Sequence, residues 1–427
     1  MKRRFLMGVF GSDLLALLGA ITISSWIVFG TPVIWNAREL SNRNAWTYVS
    51  LLFLGSIIGS YSSMRTWTTR APRPTYGRAV AIVSMTGAVT AVGLSLFRPY
   101  FSRSHFVTTM ATFLVFAVAH RVVRRRRPWV ERFVVVTQEK KLAMEIDGTD
   151  HAVVETVLSP QEHPPSVPLD PGTTLVVDLR AVLSDDMAQY VSSLSMAGYP
   201  VRGLLNVYEE HMERLPMVHL AEGWELTAPV SRNVYAPVKR VADFILTLVA
   251  APLWLVLMVL VAIVVRMDSP GPVIFRQERV GKDGKRFTLY KFRTMRTDAE
   301  KDGPRFAEVN DPRITRSGRF LRKSRLDELP QLINVLRGEL SLVGPRPERP
   351  VFVRDFSRKI PFYNARSLVR PGVTGWAQVN YGYADDVADT IDKLTFDLYY
   401  VKHMSAWLDI QILGQSIWTV LTGSGAR

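Results

Sequence analysis

The sequence predicts three parts. These are an N-terminal unit of four membrane helices (residues 1–125), a Rossmann-like α/β middle domain (126–232), and a mixed, mostly α C-terminal domain (233–427) with a re-entrant membrane helix at 238–266. Three observations predict this: apolar runs of near-membrane length crowd the first 120 residues, short β-rich runs alternate with helical pattern in the middle, and a long apolar segment with a central proline opens the last part. Apolar residues make up 48% of the 427, enough for both spans and a packed core. The absence of cysteine excludes disulfides, thiolate nucleophiles and cysteine-ligated zinc. Seven scattered histidines form no His-Glu-x-x-His pair. The net charge of +15 would suit nucleic acid, anionic lipid or phosphorylated ligands. The cations cluster beside apolar segments and around one acidic pair, with no nucleic-acid reader motif, so membrane and phosphate are the expected partners and nucleic acid is not.

Phe5–Phe29 is apolar except for Asp13, and Trp46–Met64, Ala79–Phe97 and Pro99–Ala119 follow, the last with Arg103 and His105 near its start. Lys2-Arg3-Arg4 resembles a signal-peptide head, but the run is too long and further spans follow, which favours a retained helix. Arginine and lysine concentrate at the N terminus, in the second loop (Arg65, Arg70, Arg73, Arg78) and after the fourth span (Arg121, Arg124 to Arg127). The other loops carry only Arg38 and Arg43, then Arg98 and Arg103. Both ends of the unit are therefore expected in the cytoplasm of a bacterial inner membrane, with the middle and C-terminal domains on that side.

In the middle, Arg132–Thr137, Ala152–Leu158, Thr173–Leu179 and Tyr199–Leu205 read as strands and Ser184–Ala197 as a helix, hence a small parallel sheet. The first strand runs into Thr137-Gln-Glu-Lys-Lys141, without the glycine-rich turn that seats a pyrophosphate. A scaffold, regulatory or dimerisation domain is the expectation.

Val241–Val265 is long enough to cross a membrane and carries only Asp243. Lys239 and Arg240 precede it, and residues 266–325 hold seventeen Lys/Arg against eight Asp/Glu. Basic flanks on both sides fit a helix that bends at Pro252 and returns to the same face better than one that crosses. Lys239, Arg240 and Asp243 would anchor its start at the headgroups.

Lys285–Met295 alternates as a strand and would send Lys291 and Arg293 to one face, a pair suited to a diphosphate or merely to solvent. Ser324–Leu336 reads as a helix with an apolar stripe, which puts the adjacent acids Asp327 and Glu328 near its start. Adjacent carboxylates among Arg322, Arg325 and Lys323 are poorly explained by packing. They suit a carboxylate attacking phosphorus while cations neutralise phosphate oxygens. Gly344–Pro350 and Val369–Asn380 are Pro/Gly-stiffened loops presenting Arg346, Arg370 and Gln378.

From about Val234 onward the chain resembles the bacterial sugar transferases, the monotopic phosphoglycosyl transferases. The likeness rests on Lys291-Phe-Arg-Thr-Met295, Asp311-Pro-Arg-Ile-Thr315, Leu326-Asp-Glu-Leu-Pro-Gln-Leu332, Ser341–Pro347, Arg370–Asn380, Asp397–His403 and the Lys-Arg-x-x-Asp start with its proline. With the preceding spans and α/β segment it resembles the long form of that family. The resemblance implies attack by Asp327 on the β-phosphorus of a UDP-sugar (glucose or galactose expected), loss of UMP, and transfer of the sugar phosphate to a polyprenyl phosphate such as undecaprenyl phosphate. Such transfer initiates exopolysaccharide, capsule or O-antigen synthesis. It implies further that Glu328 acts as base or helps Asp327 hold Mg²⁺, that Arg322, Arg346, Lys291 and Arg293 contact phosphate, and that the long form is a homodimer. A non-catalytic scaffold of a polysaccharide assembly complex is the alternative. One departure stands out: Asn380-Tyr381-Gly382-Tyr383 replaces the Gly-Arg that many members place after Val-Asn. The role of Arg325, where a small residue is common, stays open.

Overall fold

The computed structural model describes residues 2–36, 41–65, 76–97, 101–126, 130–149, 151–165, 169–216, 235–299, 311–381 and 387–422. Arg38, Arg70, Arg73, Arg98 and Arg127 of the charge count, and Gly382 and Tyr383, lie outside them. The chain divides into two compact units, Met1–Met212 and Glu213–Arg427.

The first unit opens with α1 (Lys2–Phe29), α2 (Asn42–Arg65), α3 (Tyr76–Phe97) and α4 (Arg103–Arg124), which match the four expected spans. Among the described residues, Leu6–Asn36, Tyr76–Phe97, Arg103–Arg124 and Ala251–Asp268 are long and apolar enough to cross a membrane. The helix α2 is long enough but more polar than these. It packs on α3 through Gly55 and Gly59: a Cβ on Gly55 would lie 2.8 Å from Thr86 Cα, so glycine is what lets the backbones approach. Asp13, the lone acid of α1, is buried and paired with Arg121 (2.6 Å) and His120 (2.8 Å) of α4. A charge within an apolar bundle persists only when paired in this way.

The α/β part follows as β1 (Glu131–Val136), α5 (Lys140–Asp147), β2 (Ala152–Leu158), β3 (Thr174–Val177), α6 (Asp185–Met196), β4 (Val201–Gly203) and α7 (Leu204–Met212). Its four strands are all parallel in the order β2-β1-β3-β4, the expected open sheet. Ser184 caps α6 by accepting from the Met187 amide. The last strand is shorter than Tyr199–Leu205 because Leu204, Val207 and Tyr208 turn into α7 and fill the core beneath the sheet. The end of β1 is closed by side chains: Thr137 Oγ1 donates to Asp178 (3.0 Å) and accepts from the Glu139 amide (2.9 Å).

The second unit begins its described helices with α8 (Tyr235–Val249) and α9 (Ala251–Asp268). The break falls at Ala250, where Pro252 in the first turn of α9 supplies no N–H to the preceding turn. The Trp254 indole donates to the Thr247 carbonyl (2.9 Å) and satisfies one of the last acceptors of α8. Both ends of the pair dock on the same domain. At the start of α8, Arg240 donates to the carbonyls of Val335 and Leu336 (2.6 and 3.0 Å). At the end of α9, Asp268 accepts from the Ser317 hydroxyl (2.7 Å), and Val261 and Val265 pack with Phe292 and Leu321. Lys239 and Asp243 turn inward instead of toward headgroups. Both are buried, Lys239 donates to Asp409 (2.6 Å), and Asp243 accepts from Ser341 (2.6 Å). A lysine ammonium this close to two carboxylates is held by them rather than by lipid phosphate.

The hairpin β5 (Ile274–Val280) and β6 (Arg286–Phe292) pairs antiparallel, Phe275 opposite Lys291. It is followed by α10 (Arg316–Lys323), a 3₁₀ turn at Leu326–Glu328, and α11 (Gln331–Arg337). The single helix expected over Ser324–Leu336 is thus broken. Ser324 closes α10 and Arg325 takes a left-handed conformation (φ 56°), so the chain re-aims before the acidic pair. After it come β7 (Ser341–Val343), α12 (Pro350–Lys359), a 3₁₀ turn at Tyr363–Leu368, β8 (Gly372–Thr374), α13 (Trp376–Asn380), α14 (Val387–His403) and α15 (Ala406–Thr422). The short strands β7 and β8 pair in parallel. The core of this unit gathers Trp376, Phe396, Leu398, Tyr400 and Ile412, and holds α14 against the loops that carry the site.

Candidate active site

Asp327 and Glu328 sit in the 3₁₀ turn between α10 and α11, 8% and 7% exposed. Glu328 Oε1 is the hub of the cluster. It accepts from Lys291 Nζ of β6 (3.1 Å) and from both terminal nitrogens of Arg346 (3.1 Å each), and Arg325 Nη1 lies 3.9 Å away. A strand, a loop and the residue three positions ahead of Glu328 thus bring three cations to one carboxylate oxygen. Asp327 Oδ1 is also buried but has no hydrogen-bond partner. A buried acceptor left open costs about 1–3 kcal/mol. It is the atom most available to a ligand.

The two acids are driven apart in strength. Burial and then the charge of Glu328 push Asp327 up to about 6, against Lys291, Arg322 and Arg325. Burial also raises Glu328, but Lys291, Arg346 and Arg325 together outweigh it and hold the carboxyl well below its ordinary value. Burial depresses Lys291 despite the two acids beside it. Near neutral pH the pair therefore comprises a permanently charged Glu328 and an Asp327 that is mostly ionised yet basic enough to bond.

The structure brings together Asp327, Glu328, Lys291 and Arg346, and places Arg322 in the last turn of α10, near enough to act on the Asp327 charge. Arg293 stands elsewhere. It lies one residue beyond β6 and its Nη2 donates to the Ser269 carbonyl (2.7 Å), where it ties the strand to the end of α9. Arg370 donates to the Gly338 carbonyl (3.1 Å) at the end of α11, and Gln378 to the Val373 carbonyl (3.4 Å). These bonds stiffen the backbone around the cluster.

Two contributors had no role assigned from the sequence. Arg325 joins the cations around Glu328 from its left-handed position. Asn334, fully buried, accepts from the Tyr290 amide (3.2 Å) and donates to the Thr288 carbonyl (2.8 Å), which fixes β6 and hence Lys291 against α11. The one sequence signal for Asn334 is an amide between apolar neighbours in a short helix.

Known proteins resemble this domain closely. The sequence pattern of the family described as bacterial sugar transferase matches residues 234–423. A UDP-N-acetylgalactosamine-undecaprenyl-phosphate N-acetylgalactosaminephosphotransferase of Aeromonas hydrophila is 44% identical over 257 residues, 59% of this chain and 60% of that protein. A UDP-glucose:undecaprenyl-phosphate glucose-1-phosphate transferase of Xanthomonas campestris pv. campestris is 43% identical over 216 residues, 49% of this chain and 43% of that protein. An exopolysaccharide production protein PSS of Rhizobium leguminosarum bv. phaseoli is 40% identical over 191 residues, 43% of this chain but 95% of that protein. The matched stretch thus spans about half the length of the first two relatives and nearly all of the third.

Proposed function

The chain belongs to the bacterial sugar transferase family, and from this we propose that it moves a hexose-1-phosphate from a UDP-sugar to undecaprenyl phosphate. An Asp327 oxygen attacks the β-phosphorus, the new O–P bond replaces the bridging P–O bond, and UMP leaves. An oxygen of the lipid phosphate then attacks the same phosphorus, the aspartyl oxygen departs, and undecaprenyl-diphosphate-sugar forms. The reading is carried by one observation: a buried, partnerless carboxylate oxygen beside an acid whose charge three cations already neutralise. Lys291, Arg346 and Arg325 are placed to shift from Glu328 toward phosphate oxygens as negative charge arrives. Freed of them, Glu328 can accept a proton from the lipid phosphate.

The two adjacent carboxylates suit a hard cation, and Asp327 and Glu328 are the residues that would hold Mg²⁺. Bound there, it would neutralise the diphosphate and ease departure of UMP. For the sugar, glucose and galactose are expected from the sequence. The relative sharing the longest of the three stretches is named for N-acetylgalactosamine, so all three belong in the assay.

The same reading places α8 and α9 as a re-entrant hairpin in an inner membrane, with the middle and catalytic domains cytoplasmic, and the protein as a homodimer in an exopolysaccharide, capsule or O-antigen pathway. The break at Ala250 and the docking of both ends on one domain support the hairpin. The central test is chemical. Purified protein with UDP-sugar and Mg²⁺ should release UMP and gain the mass of a hexosyl phosphate on the peptide containing Asp327. Asp327→Asn should lower UMP release by at least about 10³-fold. UMP release undiminished in that variant refutes the nucleophile assignment.

A further inference from the structure

Behind the Pro345-Arg346-Pro347 segment lies a second set of charges that the reaction does not use. Four consecutive carbonyls of this loop are each gripped from outside. Pro345 O accepts from the Gly372 amide (3.0 Å), Arg346 O from Arg366 Nη2 (2.8 Å), Pro347 O from Arg279 Nη1 (3.0 Å) and Glu348 O from the Val280 amide (3.0 Å). Prolines at 345 and 347 deprive the loop of two donors of its own, so much of its hold on the body runs through its carbonyls. The grip on the peptide of Arg346 comes from a charged side chain. Arg366, 8% exposed, also donates to Asp397 Oδ2 (2.7 Å) and to the Tyr363 hydroxyl (2.8 Å). Asp397, 2% exposed, sits on α14, whose packing in the main core fixes it.

Such restraint has a reason. Lys291, Arg325 and Arg346 converge on one Glu328 oxygen, and three like charges within a few ångströms repel one another. Glu328 holds the Arg346 guanidinium, but the peptide from which that side chain springs must be held separately if its ordering is not to be charged against binding or catalysis. We propose that Asp397 and Arg366 are positioning residues: Asp397 aims Arg366, and Arg366 fixes the peptide that delivers Arg346 to the reacting phosphate. The inference rests on the transferase reading above.

A double-mutant cycle on initial UMP release tests it. Asp397→Asn should lower kcat on the order of tenfold or more, and Asp397→Glu should recover most of that loss. In an Arg346→Ala background, Asp397→Asn should cost less than about threefold, because no guanidinium remains to be positioned. Arg366→Lys, which keeps the charge beside Asp397 but reaches fewer partners, should repeat the pattern and serves if Asp397→Asn lowers the melting temperature in detergent. Losses that multiply in full in both pairs would overturn the positioning role while wild type still turns over. Wild type that releases no UMP from any of the three donors would remove the transferase reading itself.

Discussion

In the proposed reaction, Asp327 is unfavourable for the fold and useful for the chemistry. Its carboxyl is raised from about 3.8 to about 6, so the folded protein holds that proton more tightly than the unfolded chain. Stability is therefore lost as pH rises from 4 to 6, by about 3 kcal/mol at the upper bound. Asp327→Asn removes the ionisation, so the variant should be inactive yet more stable than wild type by roughly 1–3 kcal/mol at pH 7.5, with the difference vanishing below pH 4. Thermal unfolding in detergent across that range measures it. The same proton governs activity: kcat/KM for the nucleotide sugar should fall about tenfold per unit as pH drops below 6. A profile flat down to pH 5 contradicts it. The dyad and Arg322 stood out in sequence because charge that packing cannot explain is conspicuous, whereas Arg346 and Lys291 were singled out for phosphate by the family resemblance. The place of Arg293 was not legible, since strand alternation predicts a face but not where that strand ends. Nor were Arg366 and Asp397, whose partners lie 20 and 31 residues away, across a fold that no local pattern encodes.

Among the elements, the first four helices were readable from apolar run length, the parallel sheet from short β-rich runs, and the break just before Pro252 from the loss of a backbone donor. The helix expected over Ser324–Leu336 failed instructively. Its apolar stripe is real, but Arg325 in a left-handed conformation and Pro330 just ahead of α11 divide it and leave the acids on a tight turn. The contact of α2 with α3 depends on Gly55. Gly55→Val should force the two helices apart, because its Cβ would lie inside contact distance of the Thr86 backbone. Lower detergent-solubilised yield and a lower melting temperature are expected, while Gly11→Val, at a position with open space, should change neither.

At the scale of the whole chain, the absence of native cysteine makes topology directly measurable. Arg43→Cys, ahead of the second expected span, should react with a membrane-impermeant thiol reagent added outside spheroplasts, and Lys282→Cys, exposed in the β5–β6 turn, should not. Labelling of Lys282→Cys would mean that α8 and α9 cross the bilayer. Membrane attachment was legible because it follows from composition over tens of residues, whereas the structure gathers the expected three parts into two compact units.

The helical pair α8–α9 is fastened to the enzyme body at both extremities, through Arg240 and Asp268, and so cannot tilt independently of it. In the re-entrant reading, the acidic dyad then rides at a constant height above the acyl chains. On the proposed function, one substrate would arrive by diffusion through bulk water, the other by lateral travel within a sheet two molecules thick. Turnover at saturating nucleotide sugar should then scale with the surface density of acceptor lipid and be indifferent to the volume in which the vesicles are suspended.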